Sequence, residues 1–231
     1  MASKYSVLDF DSEEERLKNP GGPPMVNLFD AAVYITTLLS ANDVPHAVMG
    51  GFAMVCRGSL RTTHDVDVVT DATMAALWRI IEPQPRLIIP DTKLLEGVLK
   101  VFVKTGVTYD NPQCSETWNI EVDLVRPGAK GSPRTVKDHM VSLPVTVSGT
   151  NMTFYGLDVF YMMRTKLRHC ATRAMPRDVQ DIEYFLNHEG PQVQAIADQL
   201  DQGDRESFLE TAYIREQEES ARAQFRMLLD C

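Results

Sequence analysis

Leu28, Ala32, Ile35 and Leu39 recur at three- and four-residue spacing along residues 26–40, which predicts a helix that packs through one face. The apolar run 44–49 lies between Asn42 and Asp43 on one side and Gly50 and Gly51 on the other, as a buried strand does, and a short helix is expected from 51 to about 57. Over 63–69 the order switches to period two: Asp65 and Asp67 alternate with Val66 and Val68. The pattern predicts a strand with both carboxylates on one face. Residues 72–81 read as a helix stopped by Pro83 and Pro85.

Further β-rich runs cover 86–89, 98–104, 119–125 and 141–147. From 157 onward the pattern is helical, in segments 157–172, 177–187, 191–200 and 205–229, punctuated by Gly156, Pro176, Gly190 and Gly203. Strands and helices mixed in this order predict an α+β (mixed α/β) fold, one sheet flanked by helices with a helical region after it. Residues 1–24 are charged and end in a run rich in Pro and Gly, so they are expected to be a flexible lead-in. The expected domains are 25–150, carrying the chemistry, and 151–231, helical, with the boundary near Gly149 to Gly156.

Length and composition narrow this picture. A chain of 231 residues, 44% hydrophobic and 24% charged, holds one catalytic domain and a smaller helical one. Its net charge of −9 argues against a protein whose main task is coating DNA or RNA, because phosphate binding needs a basic surface, and leaves room for a local basic patch. Cys56, Cys114, Cys170 and Cys231 form no metal-ligand spacing and no disulfide framework. No run reaches the roughly 18 apolar residues of a membrane span, and the start lacks a secretory apolar run. A soluble, cytoplasmic protein with reduced thiols and no membrane partner is expected.

Candidate chemistry concentrates between residues 49 and 69. A Gly50–Gly51 turn between strand and helix lets backbone amides approach an anion. Two carboxylates on one strand face repel each other unless a cation lies between them, and hard oxygens are what Mg²⁺ takes. Either feature alone is common. Together, about a dozen residues apart with a helix between, they suggest a triphosphate resting beside bound metal.

This combination resembles the nucleotidyltransferase superfamily with a polymerase-beta-like fold: a Gly-Gly or Gly-Ser pair, a short helix, an acid-x-acid strand and a third acid on a later strand. The matching residues are Gly50 and Gly51, then Asp65-Val66-Asp67, then Asp123 within 119–125, with Glu121 on the same strand face as the alternative third acid. The wording around Gly50 and from Arg61 to Asp67 is similar to minimal nucleotidyltransferases, the antibiotic-modifying and toxin-type enzymes. The resemblance implies that Asp65, Asp67 and Asp123 bind Mg²⁺ or Mn²⁺ and catalyse transfer of an NMP from an NTP to a hydroxyl acceptor. That acceptor would be a small molecule or a protein, with tRNA also possible. Many relatives carry Ser where Gly51 stands, which leaves the phosphate contact to backbone amides, Ser59 or Thr63.

A second basic patch is expected on the helix after Gly156, where Lys166, His169 and Arg173 share one side. With Arg177, Asp178 and Asp181 it resembles a run common in minimal nucleotidyltransferases, which implies phosphate contacts from Lys166 and Arg173; the alternative is a solvated face. Arg61 reads as a phosphate contact or as an ion-pair partner for the acids. His64 points away from Asp65 and Asp67 by alternation, and Trp78 and Trp118 are candidates for base stacking or for core.

Overall fold

The computed structural model describes residues 1–93, 97–109, 114–173 and 175–231. The chain divides into two compact units, Met1–Gly156 and Leu157–Cys231.

The first unit is built on a sheet whose eight strands are β1 (Ser3–Tyr5), β2 (His46–Met49), β3 (Asp65–Thr70), β4 (Leu87–Pro90), β5 (Val98–Thr105), β6 (Trp118–Val125), β7 (Met140–Val147) and β8 (Thr150–Leu157), among the described residues. They lie in the order β1-β4-β5-β6-β3-β2-β8-β7. β3 runs parallel to β6 and antiparallel to β2, while β5 is antiparallel to β4 and β6, so the sheet is mixed as expected. Helices α1 (Ser12–Lys18), α2 (Met25–Ser40), α3 (Gly50–Cys56) and α4 (Met74–Ile81) accompany it. α2 lies across β5 and β6, and the predicted face Leu28, Ala32, Ile35 and Leu39 is buried. Phe29, Phe52 and Phe154 meet in one aromatic cluster, which ties α2, α3 and β8 together. Thr73 caps α4 by accepting the Ala76 amide.

The expectation for the start of the chain needs correction. Residues 1–24 contain a strand and a helix. β1 pairs in parallel with β4, and the Asp11 carboxylate caps α1 by accepting the Glu14 amide. A three-residue strand has no period to detect; its pairing to a distant edge makes it. The division between the units falls after Gly156, at the far end of the expected 149–156 boundary, so nearly all of β8 stays with the first unit rather than with the helices. β7 and β8 form a hairpin through Ser148 and Gly149, both with positive φ, the geometry of a two-residue hairpin turn.

The second unit holds α5 (Val159–Arg173), α6 (Pro176–His188), α7 (Gly190–Gln194), α8 (Gln202–Leu209), α9 (Ala212–Arg215) and α10 (Glu219–Leu229). The stretch 205–229, expected as one helix, is three. Asp201 caps α8 through the Asp204 amide, and Thr211 and Glu218 adopt extended backbone before α9 and α10. Among the described residues, no helix is long and apolar enough to cross a membrane.

Candidate active site

Val66 and Val68 point into the core and leave Asp65 and Asp67 on the opposite face of β3, which buried Val69 continues beyond the acids. The parallel register with β6 sets Asp65 beside Glu121 and Asp67 beside Asp123. Four carboxylates therefore form a two-by-two array on one face of the sheet. Thr63, buried just before β3, donates its hydroxyl to Asp65 Oδ1 at 3.1 Å and fixes that side chain.

Like charges this close require compensation, and three cations supply it. Lys130 Nζ donates to Asp67 Oδ1 at 3.0 Å and to Asp123 Oδ2 at 2.8 Å. Lys100, directly across from Asp123 on β5, pairs with Glu121 and lies 3.3 Å from Asp123 Oδ1. Arg16 of α1 donates to Asp65 Oδ2 at 2.7 Å and reaches Glu121 at 3.7 Å. Lys130 sits in a short turn with left-handed backbone (φ 50°) between Gly128 and Gly131, which also have positive φ. Asp71 anchors the far end of that loop by accepting the amides of Val136 and Lys137.

These surroundings split the acids. Burial and then the neighbouring Asp65 carboxylate push Asp67 above the usual range, and Lys130 offsets this only in part. Burial also acts against ionised Asp123, but Lys130 and Lys100 outweigh it and hold the carboxyl below the usual range. Burial, Asp123 and Glu121 raise the Tyr5 phenol to about 12. The linkage signs follow. Asp123 contributes stability that is lost as pH falls through its folded value; Asp67 contributes in the opposite sense. In Lys130→Met both carboxyls lose their shared counter-charge and rise, so the variant's Tm deficit against the wild-type chain should shrink between about pH 7 and about pH 5. Thermal unfolding at both pH values checks this, and a deficit that grows on acidification would contradict the shared-cation geometry.

The strand-to-helix turn closes on this array. Gly50 has φ +65°, and a Cβ there would lie 2.0 Å from Asp67 Oδ2, so the backbone presses directly on the carboxylate. A Cβ on Gly51 would meet Thr63 Oγ1 at 2.6 Å and an Arg61 Nη at 3.0 Å, which places both side chains over the turn. Gly50→Ala combines a left-handed alanine with that clash, and a loss of about 2 kcal/mol is expected in urea unfolding. An unchanged midpoint would mean that the turn does not touch Asp67.

Gly50, Gly51, Arg61, Thr63, Asp65, Asp67 and Asp123 thus come together, with Glu121 beside them. Lys166 and Arg173 belong to the helical unit, and their charges are engaged there. Lys166 is buried in α5 and pairs with buried Asp181 at 2.5 Å, while Arg173 grips buried Asp178 through Nε and Nη2 at 2.7 and 2.8 Å. Of the basic face read from sequence as phosphate-binding or solvated, Lys166 is internal and Arg173 partly exposed, and both are paired with the two acids of the Arg177 to Asp181 run. His64 packs against Gly22, Trp78 is core, and half-buried Trp118 lines a pocket. The sequence reading missed Arg16, Lys100 and Lys130. Only Lys100 carried a signal, through its place on an alternating strand.

Among the described residues, no group of three His, Cys, Asp or Glu side chains is arranged to hold a metal ion, and ammonium and guanidinium groups face the carboxylate oxygens. The donor chemistry nevertheless fits a hard divalent cation: the carboxylates share one face, and Asp123 Oδ1 is buried without a well-formed hydrogen bond.

No protein-family model and no curated protein matches the chain. Among solved structures, the chain is similar to an antigenic nucleotidyltransferase-like protein from Paracoccidioides brasiliensis at 15% identity, covering 87% of this chain and 94% of that one with a TM-score of 0.52. JHP933 from Helicobacter pylori aligns at 16% identity over 89% of this chain and 88% of that one, with a TM-score of 0.47. The fold is nucleotidyltransferase-like.

Proposed function

We propose that the chain is a metal-dependent nucleotidyltransferase that moves an NMP from an NTP to a hydroxyl acceptor. The observation that carries this reading is the in-register array of Asp65, Asp67 and Asp123 with the Gly50 turn pressed against Asp67. Asp65, Asp67 and Asp123 would hold Mg²⁺ or Mn²⁺, which, when bound, neutralises phosphate charge and acidifies the acceptor hydroxyl. Asp123 is the preferred third acid because it stands directly beside Asp67 and shares Lys130 with it, whereas Glu121 stands beside Asp65 and pairs with Lys100 and Arg16.

The chain's own groups have distinct tasks in this account. Backbone at Gly50 and Gly51 approaches the triphosphate, with Arg61 and Thr63 beside it. Lys130 hangs from a turn bounded by two glycines, so its ammonium can leave the carboxylates and meet phosphate oxygens. The acceptor oxygen forms a bond to the α-phosphorus as the bond to the α–β bridging oxygen breaks. Pyrophosphate leaves with that electron pair, and the hydroxyl proton passes to the Asp123 carboxylate and on to solvent. A cytoplasmic setting supplies both NTP and Mg²⁺.

One observation favours a second reading, a nucleotide-binding or interaction module without transfer: Arg16, Lys100 and Lys130 already neutralise most of the array. Incubation with each α-labelled NTP, Mg²⁺ and a cell extract separates the two. Pyrophosphate release with label passing to an acceptor supports transfer; nucleotide binding with no phosphate release supports the module; orthophosphate release would overturn both.

A further inference from the structure

Isoleucine, phenylalanine, glutamate and aspartate stand side by side across four neighbouring strands. Ile88 on β4 opposes Phe102 on β5, Phe102 opposes Glu121 on β6, and Glu121 opposes Asp65 on β3. The acid array thus continues sideways, on the same face, into an apolar floor. Over that floor lies a pocket of about 520 Å³, within the size range of small-molecule sites. Residues between Tyr5 and Pro23 form one side of its lining.

The walls define what fits. Tyr5, Phe10 and Phe102 pack edge to face on one another, with ring centroids 4.9 to 5.5 Å apart, and make a rigid aromatic wall. Trp118 adds a further ring, and its indole nitrogen donates to Glu116. Ser12, Asn19, Thr117 and Asn119 offer uncharged hydrogen-bonding groups. The two charged groups on the lining, Arg16 and Glu121, lie at the array end and face each other at 3.7 Å. Such a cavity suits a neutral molecule with a planar ring and a hydroxyl.

Its position says which reactant that is. The Gly50 turn meets the array at Asp67 from the β2 side of β3, whereas the pocket meets it at Glu121 from the β6 side. In-line displacement at phosphorus places nucleophile and leaving group on opposite sides. With the pyrophosphate end at the turn, the nucleophile enters from the pocket.

We infer that this pocket is the acceptor site and that the acceptor is a small, uncharged, planar-ring molecule whose hydroxyl reaches the acids past Glu121. The inference rests on the transferase reading above. Two-ligand titration of the full chain tests it, with 4-methylumbelliferone as the planar hydroxylated probe and α,β-methylene analogues of the four NTPs with Mg²⁺ as the nucleotide. Trp118 emission, in a Trp78→Phe background, reports the pocket. Saturable quenching by the probe is expected, unchanged when a nucleotide analogue is bound, and about tenfold weaker in Phe102→Ala with analogue affinity retained. Should Phe102→Ala misfold by circular dichroism, Ser12→Phe, which fills the pocket from α1 without adding a tryptophan, takes its place with the same expectation. Competition between probe and analogue would make the pocket the nucleobase site and overturn the inference. Probe binding that is absent or insensitive to both variants, with analogue binding intact, would overturn it while leaving the transferase reading standing. Failure of all four analogues to bind would remove the transferase reading itself.

Discussion

Asp67→Asn is expected to lower NMP transfer by about a thousandfold, roughly 4 kcal/mol of transition-state stabilisation, while the chain stays folded. Asp67 is the centre of the array: Asp65 lies two residues before it, Asp123 beside it, Lys130 on its Oδ1 and the Gly50 backbone against its Oδ2. An amide keeps the shape and loses the charge. Because burial and Asp65 already hold the Asp67 carboxyl above its usual range, the ionised form is disfavoured in the folded chain. Replacing it with a neutral isostere relieves that cost, so Tm should be unchanged or higher. Label transfer from α-labelled NTP and thermal unfolding read the two halves separately. Transfer within about tenfold of the wild-type chain would exclude Asp67 from the chemistry.

The largest expected effect on stability lies in the helical unit. Asp181→Ala should cost about 3–5 kcal/mol, because it leaves the Lys166 ammonium buried without its carboxylate. Lys166 is 4% exposed and Asp181 2%, so neither can turn to water without unpacking α5 from α6. Asp178→Ala should cost less, since the Arg173 side chain is 43% exposed and its guanidinium can rehydrate. The double variant Lys166→Met with Asp181→Leu removes both charges and should recover most of the loss. Urea unfolding of the single and double variants measures the coupling directly. A single variant within about 1 kcal/mol of wild type would show that water reaches the pair.

Local pattern made part of this architecture legible. The face of α2 and the alternation of β3 follow from side-chain period alone, and Leu28 and Val66 are buried accordingly. The Gly turn and the Asp pair were readable because they are close in sequence. Pairing across the sheet was not. The register that sets Asp67 beside Asp123 joins strands more than fifty residues apart, and nothing in either strand specifies its partner. The three cations illustrate the same limit: Arg16 and Lys130 come from a terminal helix and a loop, where charge ordinarily signals exposure. Lys166 shows the converse. Spacing placed it on a helix face, but only the packing of α5 on α6 shows that its own end of that face is buried.

The most direct test of the account is Mn²⁺ binding followed by electron paramagnetic resonance in the presence of a non-hydrolysable NTP. If Asp65, Asp67 and Asp123 hold a divalent ion against the triphosphate, the wild-type chain binds Mn²⁺ together with nucleotide, and Asp67→Asn and Asp123→Asn each weaken that binding by at least about tenfold. Equal Mn²⁺ binding in all three proteins, or nucleotide binding without any bound Mn²⁺, would contradict it.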